Sequence, residues 1–88
     1  MKSYVLKWKK TAEKELNKIS KEYINSITFK IESLLANPFP LNVRKIKGAD
    51  SFFRIRVGDY RIIYQVKENE NLIIINNIRH RKDAYKDF

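Results

Sequence analysis

The stretch FRIRVGDYRIIYQV, Phe53 to Val66, sets Arg54, Arg56 and Arg61 among residues that otherwise read as a buried hairpin. A guanidinium presents a planar fork of N–H donors that suits phosphate oxygens, and it keeps its charge at any ordinary pH. Arginines at alternate positions of a strand are thus candidates for an anion-binding face. A second basic run, Arg79, His80, Arg81 and Lys82, follows further on, and Lys45 and Lys47 precede the hairpin. All six arginines fall between positions 44 and 81, whereas residues 1–43 carry lysine only. The lysine-rich part reads as ordinary solvated surface.

The hairpin can be registered from its turn. With Gly58-Asp59 as a two-residue connection, Val57 pairs with Tyr60, Arg56 with Arg61, Ile55 with Ile62, Arg54 with Ile63 and Phe53 with Tyr64. One face then carries Phe53, Ile55, Val57, Tyr60, Ile62, Tyr64 and Val66; the other carries Arg54, Arg56 and Arg61. Directly opposed like charges destabilise a sheet by up to about 1 kcal/mol, so Arg56 against Arg61 is a cost that folding alone does not explain and a bound anion would. If the next hairpin pairs Val66 with Leu72, Arg79 joins the arginine face opposite Asp59 and diagonal to Arg61. Ile63, Ile73 and Ile75 then share that face and call for a cover, from the C-terminal tail or a partner. The plainer alternative is a solvated sheet face balanced by Asp50, Asp59 and Asp83.

These positions need a scaffold, and the hydrophobic pattern supplies one. SYVLKW alternates as a short first strand, with Tyr4, Leu6 and Trp8 on one face and Val5 on the other. After Thr11, expected as an N-cap, Ala12, Leu16 and Ile19 mark one face of a short helix; Ser20 caps a longer one bearing Tyr23 or Ile24, Ile27, Ile31, Leu34 and Leu35, stopped by Pro38. VRKI, FFRIRV, YRIIYQV and LIIINNIR read as four further strands. The order β-α-α-β-β-β-β predicts an α+β fold: a small antiparallel sheet with two N-terminal helices packed on one face and a short C-terminal helical segment in KDAYKDF. Trp8, Phe29, Tyr60 and Tyr64 are expected in the core.

Composition bounds the rest. Eighty-eight residues make one domain, 1–88, with one modest core. There is no cysteine, so no disulfide or thiolate metal site is available, and one histidine does not build a zinc site by itself. The longest apolar run, Leu72 to Ile75, is far short of a membrane span, and the expectation is a soluble, cytoplasmic protein without a cofactor. Nineteen basic against ten acidic residues give a net charge of +9, which suits nucleic acid or an acidic protein.

KIKG, FFRIRVGDYRIIYQV and IIINNIRHRKDAY, between Lys45 and Tyr85, resemble the second half of RelE toxins of the RelE/ParE toxin–antitoxin superfamily, and the element order resembles theirs over the whole chain. The resemblance implies the toxin of a type II toxin–antitoxin system, a ribosome-dependent endoribonuclease that cuts mRNA in the ribosomal A site and so inhibits translation. Its partners would be the ribosome, mRNA and a cognate acidic antitoxin. The family's functional positions carry over to Arg54 and Arg56 on the third strand, Arg61 in YR, Arg79 at the end of the last strand, and Tyr85. The third-strand bases are lysines in the best-known member and arginines here, and an arginine does not act as a base. A ParE-like toxin that inhibits DNA gyrase by binding, and a non-catalytic nucleic-acid-binding domain, stand as alternatives.

Metal-independent RNA cleavage needs a proton acceptor for the 2′-hydroxyl, positive charge for the phosphorane-like state and a donor for the leaving 5′-oxygen. Arg56, Arg61 and Arg79 suit the charge, while Arg54, Lys45, Lys47, Arg81 and Lys82 suit RNA binding. Tyr85 could stack on a splayed base, orient the ribose or take a proton. His80 is the side chain whose unperturbed pKa lies nearest neutrality, and it reads either as base or as a structural residue, since strand parity points it away from Arg79.

Overall fold

In the computed structural model, which describes residues 3–46, 48 and 51–82, the elements are β1 (Val5–Trp8), α1 (Lys10–Asn17), α2 (Lys21–Ser33), β2 (Arg44–Lys45), β3 (Phe52–Val57), β4 (Tyr60–Lys67) and β5 (Leu72–His80). The order is the expected one, and a single turn of 3-10 helix, Glu68–Glu70, joins β4 to β5. The anticipated C-terminal helical segment with Tyr85 lies outside the described residues, as do Lys47, Asp50 and Asp83.

The five strands form one sheet in the order β1-β5-β4-β3-β2. Four strands run antiparallel, but β1 lies parallel to β5, with Val5 opposite Leu72 and Trp8 opposite Ile75. A purely antiparallel sheet is therefore corrected at one edge. Alternation in SYVLKW separates the two faces of the strand, but no hairpin ties β1 to its partner, so nothing local sets its direction.

The β3–β4 register is the expected one throughout, from Val57 opposite Tyr60 to Phe53 opposite Tyr64. Gly58 takes φ +58°, in the left-handed region that the first position of such a tight turn demands. The β4–β5 register differs from expectation by one residue: Lys67 pairs with Leu72 and Val66 with Ile73. The connection is set by the 3-10 turn and by Asn71, whose φ of +50° is a conformation asparagine tolerates. Ile73 and Ile75 consequently point into the core, both fully buried, and do not share the arginine face. Ile63 does lie on that face, yet it too is buried.

A β-bulge then changes the count. Tyr64 pairs with Ile75 but Ile63 with Asn77, so Asn76 is the extra residue of β5. Had the ladder continued unbroken, Ile78 would face Arg61 and Arg79 would face Tyr60 on the core side. With the bulge, Ile78 packs in the core and Arg79 stands opposite Arg61, not opposite Asp59 as first expected.

The helices cover the other face. Ala12, Ile19, Ile27, Ile31 and Leu34 pack against Ile55, Ile62, Tyr64, Val66, Ile73, Ile75 and Ile78. Trp8 and Tyr60 border this core, and Tyr64 is fully buried with its hydroxyl donating to the Pro38 carbonyl at 2.7 Å. Burial pushes that phenol well above its usual pKa. Phe29, expected in the core, is 75% exposed, because it stands two residues from both Ile27 and Ile31 and so falls on the far side of the helix. Thr11 is not a cap: α1 begins at Lys10, with Lys9 as N-cap two residues before the expected one, and the Thr11 hydroxyl donates instead to the Asn76 carbonyl at 2.9 Å. Ser20 does occupy the N-cap position of α2, without a side-chain hydrogen bond.

Candidate functional site

The strand registers bring Arg56, Arg61 and Arg79 into one row across β3, β4 and β5: Arg56 is opposite Arg61, and Arg61 is opposite Arg79. With strands about 4.8 Å apart, three guanidinium-bearing positions lie within about 10 Å of backbone. A second row begins beside it, where Arg44 of β2 pairs with Arg54 of β3. Each of these pairings opposes like charges, an arrangement that costs stability in the absence of compensation.

Arg44, Arg54, Arg56 and Arg61 line a cleft of about 600 Å³, completed by Leu41, Asn42 and Val43 from the chain entering β2. Arg61 is the residue on which the field converges. Its pKa lies below the ordinary guanidinium value, first through burial and then through the positive charges of Arg56, Arg54 and Arg81, with Asp59 acting in the opposite sense. Arg61 remains charged, since no guanidinium titrates near neutrality. The shift reports a crowded positive potential that an incoming anion would relieve. One contact steadies it: Nη1 of Arg61 donates to the Tyr60 carbonyl at 3.4 Å.

Arg79 joins the row through its backbone position, but its side chain is also held from the helical layer. Its Nε lies 3.2 Å from Oε2 of Glu15 on α1, in an ion pair whose partners are only 16% and 27% exposed. His80 takes the opposite side of β5: it pairs with Tyr60 and packs edge-on against that ring at 5.6 Å. The structure therefore does not bring His80 to the arginine cleft. Lys45 sits opposite Phe53 on the helical side of the sheet, exposed at the outer strand. Arg81 follows β5, with its backbone N–H donating to the Asp59 carbonyl at 2.7 Å, and is close enough to act on Arg61. Lys82 is exposed, with its backbone N–H 3.4 Å from Nδ1 of His80. Tyr85 and Lys47 lie outside the described residues.

Two residues of the site were not singled out from sequence. Arg44 needed the pairing of a two-residue strand, which alternation over so short a stretch does not define. Glu15 gave one faint signal, as a carboxylate flanking the apolar stripe of Ala12, Leu16 and Ile19 rather than standing opposite it.

A two-helix layer on a five-stranded sheet, with arginines aligned on the uncovered face, defines a small α+β protein with a basic cleft. The family model of the ParE toxin of type II toxin–antitoxin systems (parDE) matches residues 6–85. RelE1 of Methanocaldococcus jannaschii is 38% identical over 60 residues, which are 65% of this chain and 67% of that protein. Toxin RelE3 of the same organism is 44% identical over 52 residues, 59% of this chain and 57% of the relative. Among solved structures, the archaeal RelE–RelB complex from Pyrococcus horikoshii contains a chain that superposes with a TM-score of 0.81 at 29% identity, covering 93% of this chain and 99% of that one. The chain belongs to the RelE family of the RelE/ParE superfamily and is the toxin of a type II toxin–antitoxin system.

Proposed function

We propose that this toxin is a ribosome-dependent endoribonuclease that cleaves mRNA, and that Arg61, flanked by Arg56 and Arg79, stabilises the charge that develops on the scissile phosphate. The observation that carries the reading is the three-strand row of opposed arginines, whose repulsion a phosphodiester offsets. In the attack of the ribose 2′-oxygen on the adjacent phosphorus, negative charge accumulates on the non-bridging oxygens. Guanidinium forks on β3 and β4 line the cleft and can meet those oxygens, and Arg79 on β5 follows them in the strand row while its Nε is held by Glu15. Arg44 and Arg54, one step along the cleft, suit a neighbouring phosphate of the same strand.

Arginine supplies charge and hydrogen bonds but takes no proton. Among the described residues, the titratable side chains lining the cleft are all arginines, and His80 packs on the other side of β5. Proton removal from the 2′-hydroxyl thus falls to Tyr85 or to the ribosome, and Tyr85 also suits stacking on an unpaired base. Inhibition of gyrase by binding is the second reading, favoured by the family model that bears the ParE name; it gives no role to a row of aligned arginines.

By analogy with the RelE–RelB complex, the partner is a cognate antitoxin, and the net charge of +9 suits an acidic one. The test is primer extension on mRNA recovered from cells in which the chain is induced, beside a gyrase supercoiling assay on the purified protein. Discrete new 5′ ends in translated messages support the reading. Intact messages with lost supercoiling would replace it with the second.

A further inference from the structure

α1 does more than cover the core, because it also closes an exposed edge of the sheet. β1 pairs with β5 only as far as Trp8 and Ile75, and the last bond of that edge is the Lys9 N–H to the Ile75 carbonyl at 3.0 Å. Beyond it, Asn76 to His80 would present unpaired backbone groups on the side away from β4. Two α1 side chains meet them: the Thr11 hydroxyl donates to the Asn76 carbonyl at 2.9 Å, and Oε1 of Glu15 accepts the Ile78 N–H at 3.0 Å. The match is geometric. Four residues of helix rise about 6 Å, and two residues of strand rise about 6.7 Å, so Thr11 and Glu15, one turn apart, fall in step with Asn76 and Ile78.

Glu15 is engaged further than edge closure requires. Oε1 also accepts from Nδ2 of Asn77 at 3.2 Å, and Oε2 takes Nε of Arg79 at 3.2 Å. Three donors from consecutive residues of β5 thereby fix one carboxylate, and that carboxylate in turn fixes the Nε side of Arg79, the residue paired through its backbone with Arg61. A backbone-anchored carboxylate makes a rigid orienting partner, as a charge-assisted bond to a flexible side chain alone would not.

We infer that Glu15 is a positioning residue for Arg79, orienting its guanidinium from the helical layer so that the arginine row is set before RNA arrives. The inference rests on the proposed mRNA cleavage. Misplacing a group that must meet a reacting phosphate by about 1 Å can lower the rate on the order of 10²-fold, so Glu15→Gln, which keeps an acceptor for the Ile78 N–H, should lower kcat by about tenfold or more with little change in KM. Thr11→Val removes the neighbouring strap and touches no arginine; it should lower the melting temperature and leave kcat at the parental value.

Both variants and the parent are assayed for cleavage of a ribosome-bound message, and the Arg79 side-chain Nε–H is followed by 15N NMR in the free protein. The expected signature is a slowly exchanging Nε–H in the parent and in Thr11→Val that exchanges rapidly in Glu15→Gln. Parental kcat in a folded Glu15→Gln protein overturns the inference, and so does an Nε–H that stays protected there. A rise in kcat overturns it as well, by making the pair a latch that withholds Arg79. A parent that leaves ribosome-bound mRNA intact defeats the cleavage reading instead, and the NMR comparison then still decides whether Glu15 holds Arg79.

Discussion

Arg61 and Arg79 are direct cross-strand partners on β4 and β5, and Arg61 has a second arginine, Arg56, on its other side. A protein selected for stability alone would not place three like charges in line. The row is therefore where function and stability oppose one another, and mutation can separate them.

Replacing Arg61 with alanine should abolish toxicity and lower cleavage by about 10²-fold or more, as expected for loss of a group that stabilises transition-state charge. Stability should hold or rise, because the repulsion from Arg56, Arg54 and Arg81 disappears and no core cavity opens. Growth arrest at equal expression and a thermal melt of the purified mutant check the two halves. Undiminished arrest would remove Arg61 from the mechanism.

The neighbouring residue should behave in the opposite way. Ile62 is fully buried in the core, so Ile62→Ala should cost about 2 to 5 kcal/mol. Urea unfolding of Ile62→Ala beside Arg61→Ala measures the contrast between adjacent positions on opposite faces. A stable Ile62→Ala protein would contradict the β3–β4 register.

Tyr64 links the sheet to the turn after α2 through its bond to the Pro38 carbonyl. Tyr64→Phe leaves that acceptor unpaired and should cost about 1 to 3 kcal/mol near neutral pH. The phenol pKa is raised in the folded protein by burial, so the unfolded chain releases its proton first. The stabilisation is whole below about pH 10, where the unfolded tyrosine begins to titrate, and is lost as pH climbs above it. Urea melts across that range should show the gap between parent and Tyr64→Phe shrinking; a gap constant with pH would mean the hydroxyl is not withdrawn from water.

Tyr85 can be tested without reference to its placement. A stacking role predicts near-normal cleavage for Tyr85→Phe and, for Tyr85→Ala, a loss corresponding to about 1 to 3 kcal/mol. A proton-transfer role predicts that both variants are slow in single-turnover cleavage on saturating ribosomes. Parental rates for both would leave the chemistry to the arginines and the ribosome.

Legibility in the sequence followed the range of the forces involved. The β3–β4 hairpin could be registered because Gly58 and strict alternation are local signals. β5 could not, since its register depends on a 3-10 turn ending in a left-handed Asn71 and on a bulge at Asn76, and the two offsets add to a shift of two residues, which restores the face but changes every partner. Arg79 thus reached the arginine face for a reason the alternation of LIIINNIR does not contain. Glu15 and Thr11 looked like ordinary helix-surface and capping residues; their partners are 64 and 65 residues away. Helical periodicity placed Ile27, Ile31 and Leu34 correctly, and the same periodicity, applied to Phe29, would have put it outside.

The interior place of β5 also governs how the toxin comes into being during its own synthesis. β5 is the last described strand in sequence, yet it lies between β1 and β4. Until it leaves the ribosomal exit tunnel, a nascent chain has the β3–β4 hairpin, while β1 has no strand to pair with and the Thr11 and Glu15 side chains have no edge to meet. Contacts of such long sequence separation form late. The arginine row is likewise incomplete, because Arg79 arrives with the end of β5. A cell translating this message therefore carries no finished arginine row on partly made chains, and an antitoxin need only intercept the toxin after the last strand has emerged.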